Sequence, residues 1–173
     1  DNSRFSIHCP GCEHVYDEIT APPSVADADD KNELLSRLDQ YSRHRVLAFS
    51  RGVCSIGVNS LDTQFLSGSE TGISGADHLD VFVHRSCGHC GAQQYMSTGM
   101  ALLYRPELIS FFHKRGLDVT MTPVWELEFA MTDRRVAIQS IDPWEVALRL
   151  TRAGDTLELV VDDELAIVER NYS

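Results

Sequence analysis

Five cysteines carry the strongest chemical signal in this sequence. Four of them form two C-x-x-C pairs, Cys9-Pro10-Gly11-Cys12 and Cys87-Gly88-His89-Cys90, with 74 residues between the pairs. Zinc takes four soft or borderline ligands in a tetrahedron, and two tight turns carrying two thiolates each supply them. Gly11 in the first pair and Gly88 and Gly91 around the second suit such turns. The pattern predicts one structural zinc (Zn2+) on Cys9, Cys12, Cys87 and Cys90. Zinc ribbons commonly separate their pairs by roughly 15–20 residues. Here the stretch between them reads as an insertion between two hairpins, since the ligands need to meet only in space.

Other readings of the same residues stand beside this one. Cys9-Pro10-Gly11-Cys12 has the form of a redox dithiol, although no βαβ pattern surrounds it. Cys54, in Gly52-Val53-Cys54-Ser55-Ile56-Gly57, looks like a knuckle that lost its second cysteine. It could join one pair, with His84 or His89 completing the shell, or it is a small core residue. His8 and His14 flank the first pair and His89 lies inside the second, which suits ordinary knuckle-flanking side chains. A catalytic zinc keeps an open position, and four available cysteines favour a closed site. The chain has no glycine-rich phosphate loop, no H-E-x-x-H and no G-x-S-x-G. Asp162-Asp163-Glu164 reads as a charged hairpin turn. The sequence is therefore read as non-enzymatic.

Several elements are needed to position these residues. Residues 4–20 read as a hairpin around the first pair. Asp27 to about Phe49 reads as an amphipathic helix. Asp30 can cap it, Glu33 stands in capping-box spacing, and Leu34, Leu35, Leu38 and Tyr41 form its apolar stripe. Arg51-Gly52 ends it. Residues 57–77 carry the weakest signal, being rich in Ser, Gly and Asn, and Ser67-Gly68-Ser69-Glu70-Thr71-Gly72 reads as an exposed loop. Leu79, Val81 and Val83 alternate as a strand into Cys87, and Gln93 to Met96 is the return strand. Pro106 opens a helix that Gly116 closes. Trp125, Leu127, Phe129 and Met131 alternate as a strand. Further alternating sets lie around Val136, Trp144 and Leu157, with a turn at Arg152-Ala153-Gly154-Asp155. They predict a meander of about four antiparallel strands. Its core receives Trp125 and Trp144, and the helix at 106–115 covers one face.

Composition limits the function classes. The 173 residues carry 26 acidic and 15 basic side chains, a net charge of −11. Lys31 and Lys114 are the only lysines; the remaining basic residues are arginines. Such a balance suggests a salt-rich or GC-rich source, where salt screens the self-repulsion; an ordinary acidic cytosolic protein is the alternative. An acidic body repels phosphate backbones, so no direct DNA contact by this segment is expected. No apolar run reaches the roughly 18–20 residues of a membrane span, and no signal peptide is evident. A cytoplasmic protein without membrane association is expected. The chain opens on Asp1-Asn2-Ser3 without a Met, which reads as an interior stretch of a longer protein.

The order of short motifs resembles a known family. Cys9-Pro10-Gly11-Cys12, Tyr41-Ser42-Arg43-His44-Arg45, Gly52-Val53-Cys54 and Cys87-Gly88-His89-Cys90-Gly91 occur in succession. They are followed by the Pro-started helix, Pro123-Val124-Trp125-Glu126-Leu127 and Asp142-Pro143-Trp144. Together they resemble the C-terminal domain of haloarchaeal ArsR-like winged-helix transcriptional regulators. In that family the middle element often reads as another C-x-x-C, and here Gly57 stands at its last position. The departure leaves open which pairs bind metal. The resemblance implies an upstream winged helix that contacts DNA, and a role here in transcription regulation.

The sequence thus predicts an α+β fold: a composite zinc ribbon of two hairpins plus an antiparallel sheet meander with packed helices. It forms a single accessory domain over 1–173, with the ribbon at 1–20 and 79–97 and an inserted helix at 27–50. A further helix and the strand meander occupy 98–173. The expected function is that of a regulatory or interaction domain. The alternative is a metal- or redox-responsive sensor in which the cysteines are the switch. A homodimer and an unidentified small-molecule ligand are left open.

Overall fold

The computed structural model describes residues 3–8, 15–67, 70 and 79–173. Among them lie four α-helices and three antiparallel sheets, an α+β fold. The chain divides into two compact units, residues 1–46 and 47–173. No helix among the described residues is long and apolar enough to cross a membrane.

In the first unit, strands β1 (Ser3–His8) and β2 (Val15–Ala21) pair antiparallel. A 3-10 turn at Pro23–Ala26 follows, and then helix α1 (Lys31–Ser50), whose last turn belongs to the second unit. The expected cap is present. The Asp30 carboxylate accepts from the N–H groups of Asn32 (2.8 Å) and Glu33 (2.9 Å), while Glu33 accepts from the Asp29 N–H at 2.9 Å. These bonds satisfy donors that a helix start leaves without intrahelical partners. The apolar stripe of α1 has a matching surface: Leu38 is buried with Ile19 and Ala21, and Phe5, Val25, Leu34 and Tyr41 pack around them. One turn further on, Arg43 and Asp39 form a buried ion pair at 2.7 Å.

The second unit holds two sheets. Strands β3 (Asp62–Leu66), β4 (Phe82–Ser86) and β5 (Gln93–Ser97) form the smaller, in the order β3-β4-β5. Strand β3 lies in the stretch to which the sequence assigned no element, just before the expected loop at 67–72, most of which lies outside the described residues. It is an edge strand in which only Phe65 is fully buried, so its sequence lacks the alternation of a half-buried strand. Helix α2 (Thr98–Leu102) continues from β5, capped by the Ser97 hydroxyl, which accepts from the Met100 N–H at 3.0 Å. Helix α3 (Pro106–His113) begins at proline as expected, and Gly116 follows it at φ +74°.

The expected strand around Trp125–Met131 is instead a 3-10 turn at Val124–Glu126 and a short helix α4 (Glu128–Met131). The period-2 reading matched apolar residues that are not all core. The buried residues are Val124, Leu127, Phe129 and Ala130, and the steps from 124 to 127 to 130 fit a helical turn. Backbone proximity fixes α4 in place. A Cβ built at Gly99 would stand 1.8 Å from the Phe129 carbonyl oxygen, so only glycine lets α2 approach this closely. The Ser97 hydroxyl donates to the Ala130 carbonyl at 2.6 Å. Trp125 is therefore half-buried on a turn, not on a sheet.

The meander itself runs through β6 (Val136–Ile141), β7 (Trp144–Arg152), β8 (Asp155–Asp162) and β9 (Ile167–Tyr172), each paired with the next. Val146, Leu148, Leu150, Leu157, Leu159 and Val161 are buried, which accounts for the alternation in the sequence. The β7–β8 turn is made by Ala153 and Gly154 at φ +53° and +89°, the mirror-type turn that two-residue hairpins favour. Helix α3 is tied to this sheet by ion pairs Glu107–Arg170 (2.6 Å) and Arg115–Asp155 (2.8 Å). Trp144 stacks on Phe65 of β3 with ring centroids 5.5 Å apart.

Candidate metal centre

Two tight turns in the second unit bring three sulfurs together. The first follows helix α1. Gly52 leaves the helix at φ +75°, and an isolated bridge between Val53 and Ser60 closes the loop around Cys54. The Cys54 N–H donates to the Asn59 carbonyl at 2.8 Å, and the Val58 N–H donates to the Cys54 carbonyl at 3.0 Å. The second turn joins β4 to β5. The Cys87 N–H donates to the Ala92 carbonyl at 2.8 Å, and the Gly91 N–H donates to the Cys87 carbonyl at 2.9 Å. The two turns therefore have the same hydrogen-bond pattern: the fifth residue donates back to the cysteine, and the cysteine donates forward to the sixth. In each, that fifth residue is left-handed, Val58 at φ +58° and Gly91 at φ +71°.

Such a turn presents amides to a sulfur. The Gly57 N–H points at the Cys54 Sγ at 3.4 Å. The sulfurs of Cys54, Cys87 and Cys90 all lie within 4.8 Å of one another, and those of Cys54 and Cys90 stand 3.5 Å apart. In a tetrahedron with a metal–sulfur bond of about 2.3 Å, neighbouring sulfurs are about 3.8 Å apart. The three cysteines thus have the chemistry and the spacing to hold a metal ion. Cys54 and Cys87 are buried and Cys90 is exposed, so the group has a solvent-facing side.

The turn geometry also tunes the thiols. Hydrogen bonds from the Gly57 and Ile56 amides, with help from the Cys90 and Cys87 thiols, lower Cys54 to about 7, against the opposing effect of burial. For Cys90 the Ala92 amide favours the thiolate, but the hydrogen bond with Cys54, burial and the Cys87 thiol outweigh it and push the pKa up. Cys54 therefore ionises before Cys90, and thiolate is the form that binds metals.

Of the four predicted ligands, Cys87 and Cys90 are brought together here, while Cys9 and Cys12 lie outside the described residues. Cys54 is the third member; its sequence context was legible as a half-knuckle, but the missing second cysteine left it outside the predicted set. Neither His84 nor His89 belongs to the close group. His84 stacks on Tyr95 at 4.3 Å and meets the Gln93 side chain at 3.3 Å. His89 is exposed, with its Cδ2 4.0 Å from where a Cβ at Gly57 would stand.

Among the described residues, the fold and the site define an α+β protein in which two knuckles bring three cysteines together. The family model described as a domain of unknown function, DUF7351, matches residues 1–167, and the chain belongs to that family. No curated protein and no solved structure shows significant similarity to it.

Proposed function

We propose that this chain is a zinc-bearing regulatory or interaction domain of a transcriptional regulator, with the ion held by the Cys54, Cys87 and Cys90 thiolates. The observation that carries the metal is the repeated turn: two segments far apart in sequence fold into the same hydrogen-bonded knuckle and converge their sulfurs on one point. A thiol group with that much shared backbone design, one of whose members is exposed, is poorly explained by core packing alone. Zinc is the ion of choice because sulfur-rich tetrahedral sites favour it and it needs no redox partner. The regulatory assignment rests on the motif order that resembles ArsR-like regulators, with DNA contact made by another domain. The net charge of −11 agrees with that division of labour.

A second reading has its own support. Cys90 is exposed, and its sulfur lies 3.5 Å from that of Cys54. An oxidant that reaches Cys90 could expel the metal, which would make the centre a redox- or metal-responsive switch. Elemental analysis of the purified chain, before and after peroxide and after thiol reduction, separates the readings. One zinc per chain that resists mild peroxide supports the structural role. Reversible loss of zinc supports the switch, and absence of zinc from freshly purified reduced protein sinks both.

A further inference from the structure

A second site lies on the flank of the same unit. Gly52 and Asp62, on either side of the Cys54 knuckle, together with Arg85 of β4, Arg105 before α3 and the β8–β9 turn, enclose a cleft of about 700 Å3. That volume is within the usual range of small-molecule pockets, roughly 300–1,000 Å3. Three arginines line it, Arg51, Arg85 and Arg105, in a chain with a large acidic excess.

These arginines hydrogen-bond to backbone carbonyls, and the three carboxylates that share the cleft, Asp62, Asp163 and Glu164, make no direct ion pair with them. Arg85 is only 4% exposed; its Nη1 donates to the Phe49 carbonyl at 2.8 Å and its Nη2 to the Glu164 carbonyl at 2.9 Å. Arg105 donates from Nη2 to the Leu165 carbonyl at 2.5 Å, and Arg51 from Nη2 to the Tyr104 carbonyl at 3.3 Å. Among the described residues, no carboxylate forms an ion pair with any of the three. Arg85 and Arg105 also keep a buried Nε–H with no acceptor. A guanidinium stays charged at any ordinary pH, and leaving it away from water without a counter-ion is costly. Bracing of the β8–β9 turn explains the Nη contacts. It leaves the Nε–H groups of Arg85 and Arg105 without acceptors. Room for Arg85 is itself specified by sequence, because a Cβ at Gly52 would stand 2.9 Å from its Nη1.

We propose that this cleft binds a small oxyanion, a phosphate- or carboxylate-bearing metabolite, through Arg51, Arg85 and Arg105. Arginine's planar fork of donors matches either group. Asp62, Asp163 and Glu164 also line the cleft and are exposed. Their charges stay in water, where they weaken but do not cancel the attraction of the arginines for an anion. The proposal is independent of the metal, since none of the three cysteines lines the cleft.

Calorimetric titration of the full chain in low-chloride buffer, with inorganic phosphate in one arm and succinate in the other, tests it. At least one anion should bind saturably, and the arm that does so names the headgroup. Arg105→Gln and Arg51→Gln should each weaken binding about ten-fold, the effect of one charge-assisted hydrogen bond. Asp163→Asn should tighten it by removing a repelling charge. Zinc content and Tm of the Arg51→Gln protein should be unchanged, so that variant decides the matter if Arg105→Gln fails to fold. No saturable binding of either anion would overturn the proposal. So would binding that a folded Arg51→Gln protein, and Arg105→Gln if it folds, retains in full, since the anion would then sit elsewhere.

Discussion

The turn at Cys54 and the turn at Cys87 share a backbone and differ in side chains. Both close with the same pair of main-chain hydrogen bonds and both put their fifth residue in the left-handed region. At the fourth position, however, one has Gly57 and the other Cys90, and at the fifth one has Val58 and the other Gly91. The knuckle is thus a property of the chain's hydrogen bonding, which is the same whether its fourth position carries Gly57 or Cys90. The two turns also differ in strain. Glycine occupies the left-handed conformation freely, whereas a β-branched side chain does so at a cost.

The largest way to break the comparison is to remove the shared metal. Cys87→Ser should abolish zinc binding and destabilise the second unit by about 4 kcal/mol or more, because the binding free energy of a structural ion is also folding free energy. Urea unfolding with and without chelator checks this: the wild type should fall to the variant's midpoint when chelated, and the variant should be indifferent.

Restoring symmetry should sharpen it. Gly57→Cys combined with Asn59→Ala adds the missing sulfur; the second change clears the Asn59 Nδ2, which a Cβ at residue 57 would meet at 2.6 Å. In the cobalt-substituted protein the thiolate-to-metal absorption should rise by about a third, as three thiolates become four, with tighter metal retention against a chelator. An unchanged spectrum would mean that the Cys54 turn does not aim its fourth position at the ion.

Smaller effects are expected at the fifth position, and of opposite sign. Gly91→Ala should destabilise by about 1 kcal/mol, since a Cβ there meets nothing within 4 Å and only the backbone penalty acts. Val58→Gly should stabilise by up to about 1 kcal/mol, since Val58 is 79% exposed and its side chain contributes little packing. Equal shifts of the same sign in thermal unfolding would show that the two turns are not equivalent. The double variant Cys9→Ser, Cys12→Ser tests the predicted pair that lies outside the described residues: loss of the ion would place the pair in the ligand set, and one zinc per chain retained would leave the ion to Cys54, Cys87 and Cys90.

Much of the architecture was legible because it depends on local signals. The Asp30 cap, Pro106 at the start of α3, Gly116 after it and the Ala153-Gly154 turn each state a backbone requirement in one or two residues. The meander was legible from alternation, because one face of β7 and β8 is buried. Strand β3 was not, since an edge strand with one fully buried residue shows little alternation. The stretch around Trp125 misled for the opposite reason: its alternation is real in sequence, but its packing is set by the approach of Gly99 to the Phe129 carbonyl. At the cysteine cluster, spacing identified Cys87 and Cys90. It offered Cys54 only as an alternative ligand, because a search for C-x-x-C pairs looks for sulfurs, whereas the turn that holds Cys54 is built from main-chain bonds to Asn59 and Val58.

Whether Cys54 is a metal ligand or a core thiol is decided by zinc content, measured by elemental analysis on wild type and Cys54→Ser before and after exposure to a chelator. As a ligand, Cys54 gives one zinc per wild-type chain and a Cys54→Ser protein that yields its zinc to a chelator that the wild type resists. A Cys54→Ser protein that holds zinc as firmly as the wild type would contradict that role.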